Sequence, residues 1–187
     1  MNTVIPDIPS TPVTGPSLWT PVDLHADQSW KVAITMQQRD ELAIALELVR
    51  DLPLESIDLK SASLPAWQPI TEHINDELTN GRGVVLVRGL DARNYSVDDL
   101  QRIFWMIAIR IGRPMVQNAK GELLGHVVDR GHDYDANNVR GYTTNRALAF
   151  HCDASQAVGL LCVHPAKSGG TSPVSYTHLT LPTICSV

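Results

Sequence analysis

The sequence predicts a domain of the α+β class, in which one strand lies between the second and third of three helices and further short strands follow. Two observations lead to this prediction. Three segments before residue 113 carry apolar residues at helical spacing, and each begins next to a residue that caps helices well. Short runs rich in valine and leucine occur after the second of these segments and again near residue 160, and such runs are typical of strands.

The first predicted helix spans residues 36–50. Thr35 and Gln38 have the spacing of a capping box, in which each residue satisfies the backbone N–H group of the other. The apolar residues that follow at helical spacing are Leu42, Leu46 and Val49. The acidic residues of this helix are interpreted as its solvated face; they are Asp40, Glu41 and Glu47.

Two further helices are predicted. One begins near Ser63 and Pro65 and ends at residues 80–81, because proline is favoured in a first turn and Asn-Gly is a common stop. Its predicted buried stripe is Trp67, Ile70, Ile74 and Leu78. The other begins after Ser96 and ends at residues 112–114. Its predicted core face is Leu100, Phe104, Ile107 and Ile111.

Strands are predicted in three places. Residues 83–90 are short, apolar and rich in valine, which suits a buried strand. Residues 123–129 follow a turn at Gly121, and residues 158–163 form a second apolar run. The polar residues between them, 130–141, are expected to form a loop.

Residues 1–34 are predicted to be an extended or disordered leader. Five prolines occur among the first 21 residues, and proline fixes φ and removes a hydrogen-bond donor. Trp19 and Trp30 are expected to pin this segment to the surface of the domain.

Composition describes an ordinary globular protein. Apolar residues make up 43% of the 187 residues, and the formal net charge is −5, with no basic block of the kind that binds nucleic acid. No apolar run approaches the length that spans a membrane, and the N-terminus lacks the pattern of a secretory signal. Cys152 and Cys162 suggest no disulfide framework, so a reducing, cytoplasmic compartment is expected.

His151 and Asp153 form the candidate metal site. Residues two apart on an extended strand point to the same side, so their imidazole and carboxylate can bind one metal ion together. A histidine and a carboxylate are two of the three ligands in the facial triad of non-haem Fe(II) oxygenases. A second pair, His132 and Asp135, has the spacing H-x-x-D and lies in the polar loop, where a solvated loop is the better explanation.

The surroundings of this pair resemble a known family. Residues 147–153 read A-L-A-F-H-C-D, and residues 158–172 read V-G-L-L-C-V-H-P-A-K-S-G-G-T-S. Together with residues 83–90, these motifs resemble the TauD/TfdA family of Fe(II)- and 2-oxoglutarate-dependent dioxygenases, over roughly residues 63–172. The resemblance implies a double-stranded β-helix, or jelly roll, with flanking helices, and the order helix, strand, helix precedes the jelly-roll core in that family.

The resemblance also implies roles for particular residues. His151 and Asp153 would be the catalytic iron ligands, and Ser172 would help to bind 2-oxoglutarate, with Thr171 taking that role if the register is off by one. The alternative is that Gly169 and Gly170 form only a tight turn, in which Ser172 is a turn residue. Asn145 would line the substrate pocket; that it caps a backbone group instead is an equally good interpretation.

The implied activity is that of an oxidoreductase. It would hydroxylate a small organic substrate with molecular oxygen and convert 2-oxoglutarate to succinate and CO2. The alternative is a jelly-roll relative without catalysis, acting as a binding or regulatory protein. The sequence identifies neither the substrate nor the oligomeric state.

Residues 173–187 are predicted to be artefactual. Residues 174–183 back-translate as the read-through of a transposase-based sequencing adapter, and residues 184–187 continue that match through an index to a stop codon. The domain is therefore expected to comprise residues 35–172 and to be truncated. The family's second iron-binding histidine and its 2-oxoglutarate-binding arginine come downstream, so His178 is not assigned as a ligand. We expect the chain as written to be inactive and poorly soluble.

Overall fold

The computed structural model describes residues 14–131 and parts of the chain on either side of them. The further described residues are Pro12, Thr144, Ala147, His151, Asp153, 155–165 and 167–168. They fall into two compact units, one made of Val13–Pro114 and Gly159–Val163, the other of Met1–Pro12, Met115–Val158 and His164–Val187. Every helix and strand found in the described residues belongs to the first unit, which is called the helical unit below.

The helical unit contains four α-helices and two strands in its described part. In chain order they are α1 (Pro21–Ala26), β1 (Lys31–Ala33), α2 (Met36–Val49), α3 (Gln68–Thr79), β2 (Leu86–Arg88) and α4 (Val97–Ile111). Short 3₁₀ turns at Leu54–Ser56, Pro65–Trp67 and Ala92–Asn94 connect them. Helices α2 and α3 both pack against α4.

The predicted start of α2 is confirmed. Gln38 donates its backbone N–H to the hydroxyl of Thr35, and Thr35 donates its own N–H to the side-chain oxygen of Gln38, at 3.2 and 2.8 Å. Both halves of the capping box are therefore present. The predicted apolar stripe is also confirmed, since Leu42, Leu46 and Val49 are all buried.

Glu41 corrects the prediction of a solvated acidic face on α2. Asp40 and Glu47 are exposed as predicted, but Glu41 is only half-exposed. Its carboxylate accepts the backbone N–H of Ala66, with oxygens at 2.9 and 3.2 Å. The 3₁₀ turn begins at Pro65, so the N–H of Ala66 has no partner inside the turn, and a carboxylate is the partner that a turn's N-terminus favours.

The second predicted helix is confirmed as the 3₁₀ turn Pro65–Trp67 continued by α3. Trp67, Ile70 and Ile74 are buried, whereas Leu78 is only half-buried. The indole N–H of Trp67 donates to the carbonyl of Gln38 at 2.9 Å, and this bond ties α3 to the start of α2.

Helix α4 begins as predicted but buries a different face. Ser96 and Asp99 form its capping box. Of the predicted core residues only Leu100 is buried, whereas Phe104, Ile107 and Ile111 are half-buried. The residues that α4 buries are Leu100, Ile103, Trp105 and Met106. Residues 103–109 of this helix are all apolar, so the periodicity of that stretch admits more than one inward face, and the contacts with α2 and α3 select one.

Strands β1 and β2 form a parallel pair. Val32 lies opposite Val87, and the pairing is extended by the N–H of Leu86 donating to Trp30 and the N–H of Ile34 donating to Arg88, both at 2.8 Å. Both α1 and β1 lie inside residues 1–34, where the sequence analysis predicted no regular structure. Trp19 does pin this segment as predicted, because its indole N–H donates to the carbonyl of Arg82 at 2.9 Å.

The structure differs from the prediction at all three predicted strands. The strand expected at residues 83–90 is three residues long, and all three are exposed rather than buried, because it has a single neighbouring strand in the described part of the chain. Residues 123–129 and 158–163 are not strands. Val127 and Leu160 are well exposed, and a β-prone sequence becomes a strand only where a partner satisfies its backbone groups. The turn at Gly121 is confirmed by its N–H donating to Asn118 at 3.1 Å.

The jelly roll implied by the family resemblance is not among the described elements, and it stays a prediction. Within the described residues, no helix combines the length and the apolar character needed to cross a membrane.

Candidate metal centre

His151 and Asp153 both lie in the unit that includes Met115–Val158. His151 occupies a single-residue β-bridge, and Asp153 lies outside regular structure. Both residues are half-buried. The bridge agrees with the extended backbone predicted at His151, and the partial burial leaves both groups accessible to a metal ion and its other ligands.

A bend begins two residues after Asp153. Residues 155 and 156 form a bend, in which the hydroxyl of Ser155 donates to the carbonyl of Ala157 at 3.0 Å. This bend is the first described structure after Asp153.

The donor set fits two positions of a metal site. An imidazole nitrogen and a carboxylate oxygen are ligands that Fe(II) accepts, and the three remaining positions of an octahedral ion would be filled by other groups. Among the described residues, no group of three or more histidine, cysteine, aspartate or glutamate side chains is close enough to hold a metal ion. The assignment of His151 and Asp153 as metal ligands therefore stays a prediction.

The remaining candidate residues lie outside the described residues. These are Asn145, Thr171, Ser172, the pair His132 and Asp135, and Cys152. Their assigned roles stay predictions. His164 is described and exposed.

Comparison with known proteins places the chain in a family. The family model described as "Taurine catabolism dioxygenase TauD, TfdA family" matches residues 49–178, which is more than half of the chain. Both candidate ligands lie inside the matched interval. Its last residues overlap the segment that the sequence analysis assigns to adapter read-through, and that assignment stays a prediction.

A curated relative supports the same placement. A protein named FR-33289 synthase, from Streptomyces rubellomurinus (strain ATCC 31215), is 27% identical over 167 residues. The alignment covers 88% of this chain and 49% of the relative, so the chain spans about half the length of the curated relative that it matches. Members of the matched family are dioxygenase-type oxidoreductases that generally use Fe(II) and 2-oxoglutarate. The chain belongs to the TauD/TfdA family of dioxygenases.

Proposed function

We propose that the protein containing this chain is an Fe(II)- and 2-oxoglutarate-dependent dioxygenase that hydroxylates a small organic substrate. The observation that carries the proposal is the H-x-D pair, His151 and Asp153, inside an interval that matches the family over residues 49–178. The similarity to a protein named as a synthase supports catalysis over a purely binding role.

His151 and Asp153 would hold the metal ion from one face. The imidazole nitrogen contributes a neutral lone pair, and the carboxylate lowers the net positive charge of the metal site by one unit. Bound Fe(II), together with O2, would supply the oxidative decarboxylation of 2-oxoglutarate, with one oxygen atom entering succinate, the other entering a substrate C–H bond, and CO2 released.

The other candidate residues would orient the two organic molecules. The hydroxyl of Ser172, or of Thr171, would donate a hydrogen bond to a 2-oxoglutarate carboxylate, where charge makes such a bond stronger. The amide of Asn145 would line the substrate pocket, where it can both donate and accept. The distal histidine and the arginine that complete the family's site would come from residues downstream of Ser172.

Metal binding by this chain tests the ligand assignment. Fe(II) is titrated anaerobically into the wild-type chain and into the variants His151→Ala and Asp153→Ala, with binding heat as the readout. We expect at least about tenfold weaker binding in both variants, because each removes a ligand, and even the loss of an outer-shell partner weakens metal sites by this factor. His164→Ala is the matched control, since it removes an exposed imidazole without touching the pair. Unchanged affinity in His151→Ala would reject the site.

Sequencing of the source locus across Ser172 tests the proposal that the longer protein catalyses 2-oxoglutarate turnover. We expect the reading frame to continue to a further histidine and an arginine, and the longer product to form succinate from 2-oxoglutarate in a manner that His151→Ala abolishes. The 187-residue chain by itself should show no 2-oxoglutarate turnover. A longer product that binds iron yet never forms succinate would favour the non-catalytic alternative.

A further inference from the structure

A cleft of about 440 Å³ lies in the helical unit, between α3 and the last turns of α4. Its volume is within the range of small-molecule sites, roughly 300–1,000 Å³. It shares no residue with the candidate metal centre or with the segments predicted to bind 2-oxoglutarate and substrate. The cleft is therefore a candidate for a binding site that the proposed function does not use.

Arg110 supplies the positive charge of this cleft. Its guanidinium donates to two backbone carbonyls, those of Met106 and Ala62, which fix its orientation. No carboxylate in the described part of the chain forms an ion pair with it. Partial burial lowers the pKa of Arg110, and the negative charge of Glu41 opposes that shift. The carboxylate of Glu41 itself accepts the backbone N–H of Ala66. Arginine has five N–H donors, so three remain after these two bonds.

The cleft also contains neutral polar groups with unused hydrogen-bonding capacity. Ser63 and Asn75 both line it, and neither side chain has a hydrogen-bond partner among the described residues. Ser63 precedes the 3₁₀ turn, and Asn75 lies on α3, so the two groups approach the cleft from different elements. A bound molecule would give both groups partners without displacing a bond that the fold already makes.

The rest of the lining limits the charge and the shape of a ligand. Leu59, Leu64 and Ile109 give the cleft an apolar wall. Glu72 adds one negative charge, and its carboxylate is held in place by the amide of Gln68 at 2.8 Å. A ligand with two negative charges would be repelled by Glu72, whereas one with a single carboxylate and an apolar body can satisfy both Arg110 and the wall.

We propose that this cleft binds a small organic monocarboxylate, with its carboxylate on Arg110 and its apolar part against Leu59, Leu64 and Ile109. The bond to a guanidinium is charge-assisted and therefore stronger than a neutral hydrogen bond. The sequence gives no signal for this site, because an arginine in the last turn of a helix is common there and interacts favourably with the helix dipole. Only the packing of α3 against α4 shows that no carboxylate among the described residues forms an ion pair with Arg110.

Ligand-observed saturation-transfer NMR on dilute protein tests the proposal, with butyrate as the probe and butyramide as its neutral isostere. Iron and 2-oxoglutarate are left out, so the candidate metal centre contributes nothing to the signal. We expect butyrate to bind and butyramide to bind at least about tenfold more weakly, because the charge-assisted contact is lost. Equal binding of the two probes would overturn the proposal.

Three variants locate the binding. Arg110→Gln should weaken butyrate binding by at least about tenfold, and Glu72→Gln should strengthen it about two- to threefold by removing a repulsive charge. Arg113→Gln is the matched control, because it removes an exposed arginine near the same helix end and should leave binding unchanged.

If Arg110→Gln unfolds the chain, the opposite sign expected for Glu72→Gln still decides the question. Weaker or unchanged binding in Glu72→Gln, or an effect of Arg113→Gln as large as that of Arg110→Gln, would place the carboxylate elsewhere.

Discussion

Arg82 fastens the N-terminal segment to the end of α3. Its side chain is 16% exposed and donates to Asp27, just after α1, and to Glu77 on α3, the latter at 3.1 Å. Glu77 is equally buried, with 14% of its side chain exposed. Because the carbonyl of Arg82 also accepts the indole N–H of Trp19, one residue joins three parts of the unit.

Replacing Arg82 with methionine should therefore destabilise the chain by about 3 kcal/mol, since the carboxylate of Glu77 keeps the backbone N–H of residue 82, at 3.2 Å, but is left buried without its charged partner. Chemical denaturation measures the loss. Arg93→Met is the matched control, because Arg93 pairs with Asp91 but has 84% of its side chain exposed, and we expect no measurable change. Equal effects of the two substitutions would show that the Arg82 pair contributes no more than a surface pair.

Glu41 shows why the sequence alone does not predict which partner a polar side chain binds. The sequence places it on the polar side of α2 as clearly as it places Asp40 and Glu47. Its bond to Ala66 depends on where the 3₁₀ turn lies in space, 25 residues along the chain. The same limit applies to Arg110, because only the packing shows that it forms no ion pair within the described part of the chain.

At the scale of elements, the end of β2 depends on a glycine. Gly89 has φ +111°, a region that other residues rarely adopt, and a Cβ built there would lie 2.9 Å from Cγ1 of Ile34. Ile34 follows β1 and is buried. The two segments that follow β1 and β2 therefore approach each other closely where the parallel pair ends.

Gly89→Ala should thus cost about 2–3 kcal/mol, from backbone strain together with the clash against Ile34. Gly83→Ala provides the comparison, because Gly83 also has positive φ, at +76°, but faces open space. It should cost only about 1 kcal/mol, the strain alone. Thermal unfolding of both variants checks the difference, and a Gly83 variant as unstable as the Gly89 variant would remove the role given to Ile34.

Helices were predicted better than strands for a physical reason. A cap such as Thr35–Gln38 or Ser96–Asp99 lies within four consecutive residues, so its partners are visible in the sequence. A strand needs a neighbour that is distant along the chain, and the partner of β2 was β1, in a segment that the sequence analysis had predicted to be an irregular leader.

At the scale of the whole molecule, apolar side chains remain on the surface of the helical unit. Ile44 and Leu48 lie one turn apart on α2 and are 65% and 70% exposed. Adjacent exposed apolar residues promote association between molecules.

Replacing both Ile44 and Leu48 with glutamine should reduce self-association while changing the free energy of unfolding by less than about 0.5 kcal/mol, since neither side chain is buried. Light scattering and chemical denaturation give the two readouts. Leu46→Ala, at a buried position of the same helix, should instead cost about 3 kcal/mol. A comparable loss of stability in the double glutamine variant would show that Ile44 and Leu48 pack within the fold.

The sequence by itself determined the family, the capped starts of α2 and α4 and the buried stripe of α2. It also supplied His151 and Asp153 as candidate metal ligands, and their role stays a prediction. Each of these rests on residues that are close together in the chain or on motifs read as a string. The tertiary structure decided which face α4 buries, that β1 pairs with β2, that Glu41 binds Ala66, and that Arg110 lines a cleft without an ion-pair partner among the described residues. These depend on contacts between segments far apart in sequence, and such contacts are fixed only when the helices pack.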